Sequence, residues 1–399
     1  MITSHRAGCA AADVGPRRIL DLRDSPWVDG PGRTILDTAS MIDPQRYRIV
    51  VGAFSGPRHA EHAYLDDAGR RGLETYRISE RRSLDLDVLH QIVAWCRRNA
   101  VHAIHTHDFR SDLYGLTAAR RLRIPAVATC HGWIANDRKG RLYTRLDKLL
   151  LRFFERVIVV SERMREQLLQ QGLAPDRIAV VQNALVVENY APDRGDRSVR
   201  REWGVPDDHR LVGKIGRLSP EKCQDLFLRA AARLAQSAGG VTFALVGIGP
   251  EEARLRQLAA DIGIADRVVF AGYRSDMQRV YNSLDLVVQS SSTEGMPNVI
   301  LEALLMRVPV VATNVGGTGE LVIDGVSGRL VPPNDLVTLA EAMHSALYGS
   351  GRLSQWADAG ERHVRDKFSH AVRLRRIAAV YDRVLAARGG FATAQSAVV

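Results

Sequence analysis

Two glutamates, Glu294 and Glu302, stand in the otherwise apolar stretch EGMPNVILEALLMRVPVVAT (residues 294–313). A carboxylate buried among such residues is strongly destabilising unless a hydrogen-bond donor or a cation pairs with it. Pro297 and Asn298 would open a helix here, and Asn298 and Glu302, four residues apart, would share one face of it. The Glu302 carboxylate is therefore predicted to accept hydrogen bonds from the two vicinal hydroxyls of a ribose. The alternative is a buried pair between Glu302 and an arginine.

The segment GRLSPEK (residues 216–222) places two cations at a predicted helix start. Ser219 suits the N-cap and Pro220 suits the first helical position, so we expect a helix that begins there. Lys222 would then lie in the first turn, where its charge opposes the helix dipole, with Arg217 just ahead of it. This arrangement indicates a phosphate group bound beside free backbone N–H groups. The alternative is a solvated lysine and an arginine paired with a neighbouring acid.

Other unusual residues also follow apolar, β-branched runs. They are His131 and Gly132 after AVATC, Arg217 after LVGKIG, Gly247 after VTFALV, Tyr273 and Arg274 after VVFAG, and Glu294 and Gly295 after LVVQSSST. In open parallel α/β sheets, ligands bind beyond the carboxyl ends of the strands. The shared placement therefore predicts one ligand site to which several strands contribute.

Apolar runs alternate with helical patterns along nearly the whole chain, first between residues 17 and 183 and again between residues 211 and 313. Continuous apolar strands are typical of parallel sheets that helices cover on both faces. Because the pattern occurs twice, we predict two doubly wound α/β domains. The polar, proline-punctuated stretch 191–209 indicates the boundary between them. The predicted divisions are a domain at 1–195, a domain at 196–370, and a C-terminal helix and tail at 371–399.

The bulk composition is that of a globular protein. The chain has 399 residues, of which 46% are hydrophobic and 25% charged, and a formal net charge of +10. We find no apolar run of the roughly 20 residues that a membrane span needs, and no signal-peptide pattern. Four scattered cysteines indicate reduced thiols in the cytoplasm. The positive charge favours an anionic partner, but no zinc-finger, RNP-type or basic-zipper pattern indicates nucleic acid.

A metal site is not expected from the sequence. His105-Thr106-His107 would place two imidazoles on one strand face, but no third ligand follows at a telling spacing. Asp85-x-Asp87 resembles a metal-binding DxD pair, yet it precedes a helical pattern, so helix capping is the preferred interpretation. Gly247-x-Gly249 lacks the third glycine of a dinucleotide fingerprint, and a tight turn accounts for it.

The segment RKGRLYTRLDKLLLRFFERV (residues 138–157) differs from the other helical patterns. Between residues 138 and 156 it carries seven Lys or Arg against two acids. Its apolar residues include Leu149, Leu150, Leu151, Phe153 and Phe154. A basic helix with an apolar stripe can lie on an anionic membrane surface. The alternative is that the stripe packs on the core beneath a solvated basic face.

Together these motifs resemble those of the retaining GT-B glycosyltransferases of family 4. The matching pieces, in order, are GRLSPEK, VGIGPEE, AGYRSDM, EGMPNVILEA, VPVVATNVGG and DGVSGRLVPPND. The resemblance extends over nearly the whole chain and is strongest in its second half. It implies a GT-B fold, in which two Rossmann-like domains face a central cleft, and a nucleotide-sugar donor bound in that cleft.

The resemblance also implies a role for each matched residue. Arg217 and Lys222 would neutralise the donor diphosphate, Glu302 would hold the ribose, and Glu294 would position the donor sugar. The implied catalytic residues are His131, Glu294, Arg217 and Lys222. The implied donor-binding residues are Gly30, Gly32, Arg217, Lys222, Gly247, Arg274, Gly295, Met296, Pro297, Asn298, Val299 and Glu302. His107 and Asp108 are expected on the acceptor side.

The chain departs from the family pattern at three places. Cys223 stands where the family often has glycine, Met296 stands where phenylalanine is common, and QNALVV (residues 182–187) replaces a frequent Asn-Gly-Val-Asp. These changes affect loop shape and acceptor choice. None of them removes a residue that donor binding needs.

The predicted activity is transfer of a hexose from a nucleoside-diphosphate sugar to a hydroxyl of a saccharide or lipid-linked saccharide, with retention of anomeric configuration. It would serve cell-envelope or exopolysaccharide synthesis. Neither a metal nor a cofactor is expected, because the nucleotide sugar is itself the substrate. We expect a cytoplasmic protein with peripheral contact to the inner face of the membrane. A nucleotide-sugar epimerase of the same fold and a non-catalytic nucleotide-sugar-binding protein are the alternatives.

Overall fold

The computed structural model describes residues 15–56, 61–82, 85–133, 138–349 and 352–395. Its strands form two parallel sheets, one of seven strands and one of six. Helices connect successive strands in both sheets. The prediction of two doubly wound α/β units is therefore confirmed.

The first sheet is built from the first half of the chain. Its strands are β1 (Arg17–Arg23), β2 (Tyr47–Ser55), β3 (Glu74–Ser79), β4 (Ala103–Thr106), β5 (Ala126–Cys130), β6 (Arg156–Val159) and β7 (Ile178–Val180). Its helices are α1 (Gly30–Met41), α2 (Ala63–Arg70), α3 (Leu86–Arg98), α4 (Phe109–Leu122), α5 (Arg138–Leu150) and α6 (Glu162–Gln170). The strand order is β3-β2-β1-β4-β5-β6-β7.

The second sheet follows after α7 (Ser198–Glu202). Its strands are β8 (Arg210–Ile215), β9 (Val241–Val246), β10 (Val268–Gly272), β11 (Leu286–Gln289), β12 (Val310–Thr313) and β13 (Arg329–Val331). The remaining helices are α8 (Gln224–Ser237), α9 (Glu252–Asp261), α10 (Met277–Ser283), α11 (Asn298–Leu305), α12 (Thr318–Leu321), α13 (Leu336–Tyr348), α14 (Arg352–Lys367) and α15 (His370–Gln395). The strand order is β10-β9-β8-β11-β12-β13.

The inner strands are buried on both faces. Every residue of β4, β9 and β12 is buried, as expected for apolar strands between two helical layers. Two strands, β3 and β13, escape the sequence analysis, and both lie at a sheet edge. Each has a single buried residue, Ile78 in β3 and Val331 in β13, and the others are half-buried or exposed. Both strands therefore lack the continuous apolar run that marks a central strand.

The predicted helix start at Ser219 is wrong. Residues Pro220–Lys222 form a single 3₁₀ turn, and α8 begins only at Gln224. Cys223 separates the two with a left-handed backbone at φ 48°. The Ser219 hydroxyl donates to Glu221 at 2.6 Å instead of capping the turn. Lys222 therefore lies ahead of α8, on a tight turn that ends in a residue with positive φ.

The C-terminal helix α15 returns to the first sheet. A hydrogen bond of 2.8 Å joins the Tyr381 hydroxyl to Nδ1 of His105 on β4. The Arg373 guanidinium donates to the backbone oxygens of Val181 at 3.2 Å and Gln182 at 2.9 Å. These contacts fasten the end of the chain to its first half. The predicted domain limits at 195 and 370 stay predictions.

Candidate functional site

A cavity of about 400 Å³ lies where the carboxyl ends of the two sheets face each other. The predicted residues that line it are Gly30, His131, Arg217, Lys222, Glu294, Gly295, Met296, Pro297, Asn298 and Val299. Gly32, His107, Asp108, Gly247, Arg274 and Glu302 do not line it. This is the position at which doubly wound sheets bind ligands.

The two predicted phosphate-binding cations differ in their surroundings. The Lys222 ammonium donates to both carboxylate oxygens of Glu294, at 2.7 and 2.9 Å. Arg217 is exposed, and within the described ranges no acid forms an ion pair with it. The Arg217 charge is therefore available to an anionic ligand in the cavity, whereas Glu294 already offsets the charge of Lys222.

The loop ahead of α11 is held against the first half of the chain. The Asn298 amide donates to the backbone oxygen of Gly30 at 3.2 Å. Asn183 donates to the Met296 backbone oxygen at 2.9 Å and to Oδ1 of Asn298 at 3.0 Å. A Cβ at Gly295 would lie 1.9 Å from the backbone oxygen of His131. Only glycine therefore allows this close approach.

Glu302 has the arginine partner that the sequence left open as an alternative. Its Oε1 accepts from Arg33 at 2.8 Å and from Tyr190 at 3.3 Å, and its Oε2 accepts from the Tyr281 hydroxyl at 2.8 Å. Glu302 lines a neighbouring cavity of about 370 Å³ together with Arg33 and Tyr190. Burial first, and then the Glu302 charge, raise the pKa of the Tyr190 hydroxyl. Ribose binding by Glu302 stays a prediction.

Arg274 and Gly247 lie outside the lining of the cavity, and each makes contacts within the protein. Arg274 forms ion pairs with Glu202 and with Asp276, the latter at 2.7 Å. The Gly247 N–H donates to the Gly272 backbone oxygen at 2.7 Å. The contacts described for both residues are internal to the protein, so their predicted contacts to the donor stay predictions.

His131 stands at the end of a buried polar chain. Its Nε2 lies 3.0 Å from Nδ1 of His107, whose Nε2 lies 2.9 Å from Oδ1 of Asp21. Burial lowers the pKa of both histidines well below the usual value. Burial also raises the pKa of Asp21 to about 6, against the opposing charges of His105, Arg23 and Arg373. His131 is therefore a neutral imidazole at neutral pH, with His107 behind it.

The other predicted acceptor-side residue, Asp108, caps a helix. Its side chain accepts from the Ser111 N–H at 3.0 Å at the start of α4, and from the Asp24 N–H at 2.6 Å. Asp21, His105 and His107 lie close enough to hold a cation. However, both ring nitrogens of His105 already bond to Tyr381 and Thr129, so this group fits a hydrogen-bond network better than a metal site.

Three buried polar residues of the cavity were not predicted from the sequence. Lys214, Gln289 and Ser291 line the cavity, and all three are buried. The available signal was a lysine inside the apolar strand LVGKIG and a glutamine at the end of LDLVVQ. A polar side chain within a central strand indicates either a buried partner or a ligand.

A second cavity, of about 530 Å³, adjoins the first. The two share Gly132, Trp133, Thr293 and Glu294. Its other lining residues include Thr144 and Lys148 of α5 and Arg163, Gln167 and Gln170 of α6. The Lys148 ammonium lies 4.5 Å from the centre of the Trp133 ring. Two cations against the single carboxylate of Glu294, together with three glutamine amides, give this cavity a polar lining with a net positive charge.

Comparison with known sequences identifies relatives for both halves of the chain. The family model described as Glycosyltransferase Family 4 matches residues 28–189, and the one described as Glycosyl transferases group 1 matches residues 209–348. The D-inositol 3-phosphate glycosyltransferase of Salinispora arenicola is 30% identical over 72% of this chain and 69% of that protein. Its counterpart in Salinispora tropica is 32% identical over 66% of this chain, and the match spans 60% of that relative's length.

Solved structures with the same architecture agree with these matches. The crystal structure of Anabaena Alr3699/HepE in complex with UDP and glucose has a TM-score of 0.82 at 25% identity, covering 92% of this chain and 100% of that one. Sucrose-phosphate synthase from Thermosynechococcus elongatus has a TM-score of 0.79 at 20% identity over 93% of this chain and 100% of that one. The latter shows the fold alone. With two facing parallel sheets and a family match in each half, the chain adopts the GT-B fold and belongs to family 4 of the glycosyltransferases.

Proposed function

We propose that this protein is a retaining glycosyltransferase that moves a hexose from a nucleoside-diphosphate sugar to an acceptor hydroxyl. The observation that carries the proposal is the cavity between the two sheets, which we call the donor cavity. One wall holds the Lys222–Glu294 pair and the free charge of Arg217, and the other holds Gly30 and His131. Cations and hydroxyl-binding groups in one cleft are what a diphosphate attached to a sugar requires.

The charged groups assist departure of the diphosphate. As the bond between the anomeric carbon and the diphosphate oxygen breaks, negative charge grows on that oxygen. Arg217 and Lys222 stabilise this charge, and the N-terminus of α11 adds its dipole. The acceptor hydroxyl forms the new bond from the same face of the sugar, and its proton passes to the departing diphosphate. No side chain in this scheme acts as a covalent nucleophile.

A uridine diphosphate hexose is the donor to test first. Alr3699/HepE, at 25% identity and over its full length, has been crystallised with UDP and glucose and with UDP-glucose. This chain has the cations for the diphosphate and a neutral His131 on the facing wall. The donor site needs no cofactor in this account, because the nucleotide sugar supplies both the hexose and the leaving group.

The second cavity is the proposed acceptor site. It adjoins the donor cavity at Glu294, and its lining includes Lys148 and Arg163. Such a lining suits a hydroxylated acceptor that carries a phosphate. The relatives named D-inositol 3-phosphate glycosyltransferases support that class. A saccharide linked to a lipid through phosphate presents the same chemistry, and the acceptor assay distinguishes the two sources.

The surface of α5 favours the lipid-linked source. Leu142, Leu146, Leu149 and Phe153 are 55%, 39%, 52% and 49% exposed, and their spacing places them on one stripe. The three leucines lie on α5 and Phe153 lies in the 3₁₀ turn that follows it; we name this set the α5 stripe. Arg138, Arg141, Arg145 and Arg152 are exposed beside it.

We propose that the α5 stripe contacts an anionic membrane at the cytoplasmic face. This contact would lie next to the acceptor cavity, because Thr144 and Lys148 of α5 line that cavity. None of the described helices has the length and apolarity of a membrane span.

Donor identity can be established by thermal unfolding with a panel of UDP- and GDP-hexoses, because a ligand that binds the native state raises the melting temperature. The donor selected in this way is then incubated with inositol phosphate or with phosphate-linked lipid saccharides. The proposal predicts release of nucleoside diphosphate and a glycoside with the anomeric configuration of the donor. An inverted product would contradict the retaining mechanism.

Two controls separate the alternatives. An epimerase would convert the donor into an isomer when no acceptor is present, which chromatography of the nucleotide sugars detects. A non-catalytic binding protein would be stabilised by the donor without releasing nucleoside diphosphate in any acceptor mixture. The proposed function predicts neither outcome.

A further inference from the structure

Lys214 is a buried lysine with no protein partner among the described residues. It lies in β8, is 2% exposed, and lines the donor cavity. Within the described ranges, its ammonium forms neither an ion pair nor a hydrogen bond. Lysine is almost never fully buried unless a partner offsets its charge. The cavity is therefore the place from which that partner must come.

Two further polar side chains on the same floor are also unsatisfied. Neither Nε2 nor Oε1 of Gln289 has a hydrogen-bond partner among the described residues, and the Ser291 hydroxyl also lacks one. Both residues line the cavity with Lys214. They lie at the end of β11, which pairs with β8. Since buried polar groups are normally hydrogen-bonded, three such groups without a protein partner around one cavity indicate that this cavity suits a polar ligand.

The charges that face Lys214 define the sign of that ligand. Lys222, Glu294 and Cys223 act on Lys214 electrostatically, and Arg217 lines the same cavity. The lining also includes the carboxylates of Asp29 and Glu221, of which Asp29 pairs with Arg23 and Glu221 accepts from the Ser219 hydroxyl. Glu294 offsets Lys222, whereas Arg217 has no ion pair with an acid among the described residues. The diphosphate of a nucleotide sugar carries two negative charges, and a protonated Lys214 adds a second cation to that of Arg217.

We propose that Lys214, together with Gln289 and Ser291, forms a further binding floor for the donor diphosphate, and that Lys214 takes up a proton when the donor binds. Burial lowers the pKa of Lys214 to about 7, and the Lys222 charge acts in the same direction. In the free protein the amine is therefore mostly neutral at pH 8. The added phosphate charges favour the ammonium form and raise this pKa. The inference rests on the proposed function for the identity of the anion.

Isothermal titration calorimetry at pH 8 tests this proposal with UDP, GDP and inorganic pyrophosphate as probes. Each titration is run in two buffers of different ionisation enthalpy, so that the difference in heat gives the protons taken up. The wild type should take up about one proton per bound nucleotide. Lys214→Met should lose this uptake and should bind the nucleotide at least about tenfold more weakly. This is the loss in affinity expected when one charge-assisted hydrogen bond is removed.

Control variants make the result specific. Lys214→Arg keeps a permanent charge and should bind without proton uptake. Lys367→Met removes an exposed lysine at the end of α14 and should behave as the wild type. Equal proton uptake in the wild type and Lys214→Met, or no binding of any probe to the wild type, would overturn the proposal. Nucleotide binding with the expected uptake but no hexose transfer would instead overturn the proposed function alone.

Discussion

Three basic residues of the donor cavity would bind an anion, and each has a different environment. Lys222 is paired with Glu294 at 2.7 Å, so its position is fixed before a ligand arrives. Arg217 is exposed, so it reorients at little cost when a diphosphate binds. Lys214 is buried and contributes a charge only once the anion is present. With Lys222 paired and Lys214 mostly neutral before an anion binds, the cavity avoids an uncompensated concentration of positive charge.

Cys223 carries a backbone cost that a glycine would remove. Its φ of 48° is unfavourable for a residue with a side chain, by roughly 1 kcal/mol. The structure thus accounts for the glycine that the family often has at this position. We expect Cys223→Gly to be more stable than Cys223→Ala by about 1 kcal/mol, since both lose the thiol and only glycine relieves the strain.

Thermal unfolding of the two variants measures this difference as a shift of a few degrees in melting temperature. Equal melting temperatures for Cys223→Gly and Cys223→Ala would show that the left-handed turn carries no strain. Nucleotide affinity should remain in both variants, because the turn places Lys222 through its backbone.

Two residues, Glu302 and Lys214, show which features of the site can be predicted from the sequence and which cannot. The sequence identifies Glu302 as a buried carboxylate that needs a partner, because its neighbours are apolar. It does not identify Arg33 as that partner, since 269 positions separate the two residues and no local pattern links them. Lys214 is missed for the opposite reason. It lies inside a strand rather than at the strand end, where ligand-binding residues are expected.

At the scale of elements, α5 joins two properties on one helix. Its inward face contributes Thr144 and Lys148 to the acceptor cavity, and its outward face carries the three leucines of the α5 stripe. Leu151 and Phe154 are buried, so the sequence analysis combined residues of the two faces in one apolar group. Leu142 and Leu146, which are both exposed, were not part of that group. The sequence does not separate the two faces, because an apolar residue that faces solvent looks the same in sequence as one that faces the core.

The α5 stripe predicts binding to vesicles that contain phosphatidylglycerol. Burial of a leucine side chain contributes about 2 kcal/mol, so the double variant Leu146→Ser, Leu149→Ser should bind at least about tenfold more weakly in a co-sedimentation assay. Added salt should weaken wild-type binding, because it screens the neighbouring arginines.

Val337→Ser provides the matched control for the α5 stripe. Val337 is a 44% exposed apolar residue on α13, in the second half of the chain. Its loss should leave vesicle binding unchanged. Equal binding by the wild type and the leucine double variant would rule out the α5 stripe as the contact surface.

The central strands of both sheets are predictable from the sequence, whereas two of the four edge strands, β3 and β13, are not. The run VTFALV is apolar except for Thr242 and forms β9, every residue of which is buried. ETYRIS alternates and forms the edge strand β3, whose exposed positions resemble those of a loop. The prediction of a helix that begins at Ser219 is wrong because Cys223 has a positive φ. Cysteine rarely adopts this backbone conformation, so the residue type gives no sign of it.

At the scale of the whole molecule, the donor cavity depends on contacts between the two halves of the chain. Asn298 reaches the backbone of Gly30 at 3.2 Å, and Arg33 reaches Glu302 at 2.8 Å. Helix α15 returns from the second half to the first through Tyr381 and Arg373. The sequence predicts two domains that face a cleft. It does not predict which side chains cross that cleft, since such pairs are set by tertiary structure.

The central claim is that a donor diphosphate binds beside Arg217 in this cavity. The most direct test is the rate of hexose transfer by Arg217→Ala with the donor that the nucleotide-sugar panel selects. Because Arg217 stabilises charge that grows in the transition state, its loss should lower the rate by at least about 100-fold. Arg233→Ala, which removes an exposed arginine on α8, should retain the wild-type rate. Near-wild-type transfer by Arg217→Ala would contradict the account.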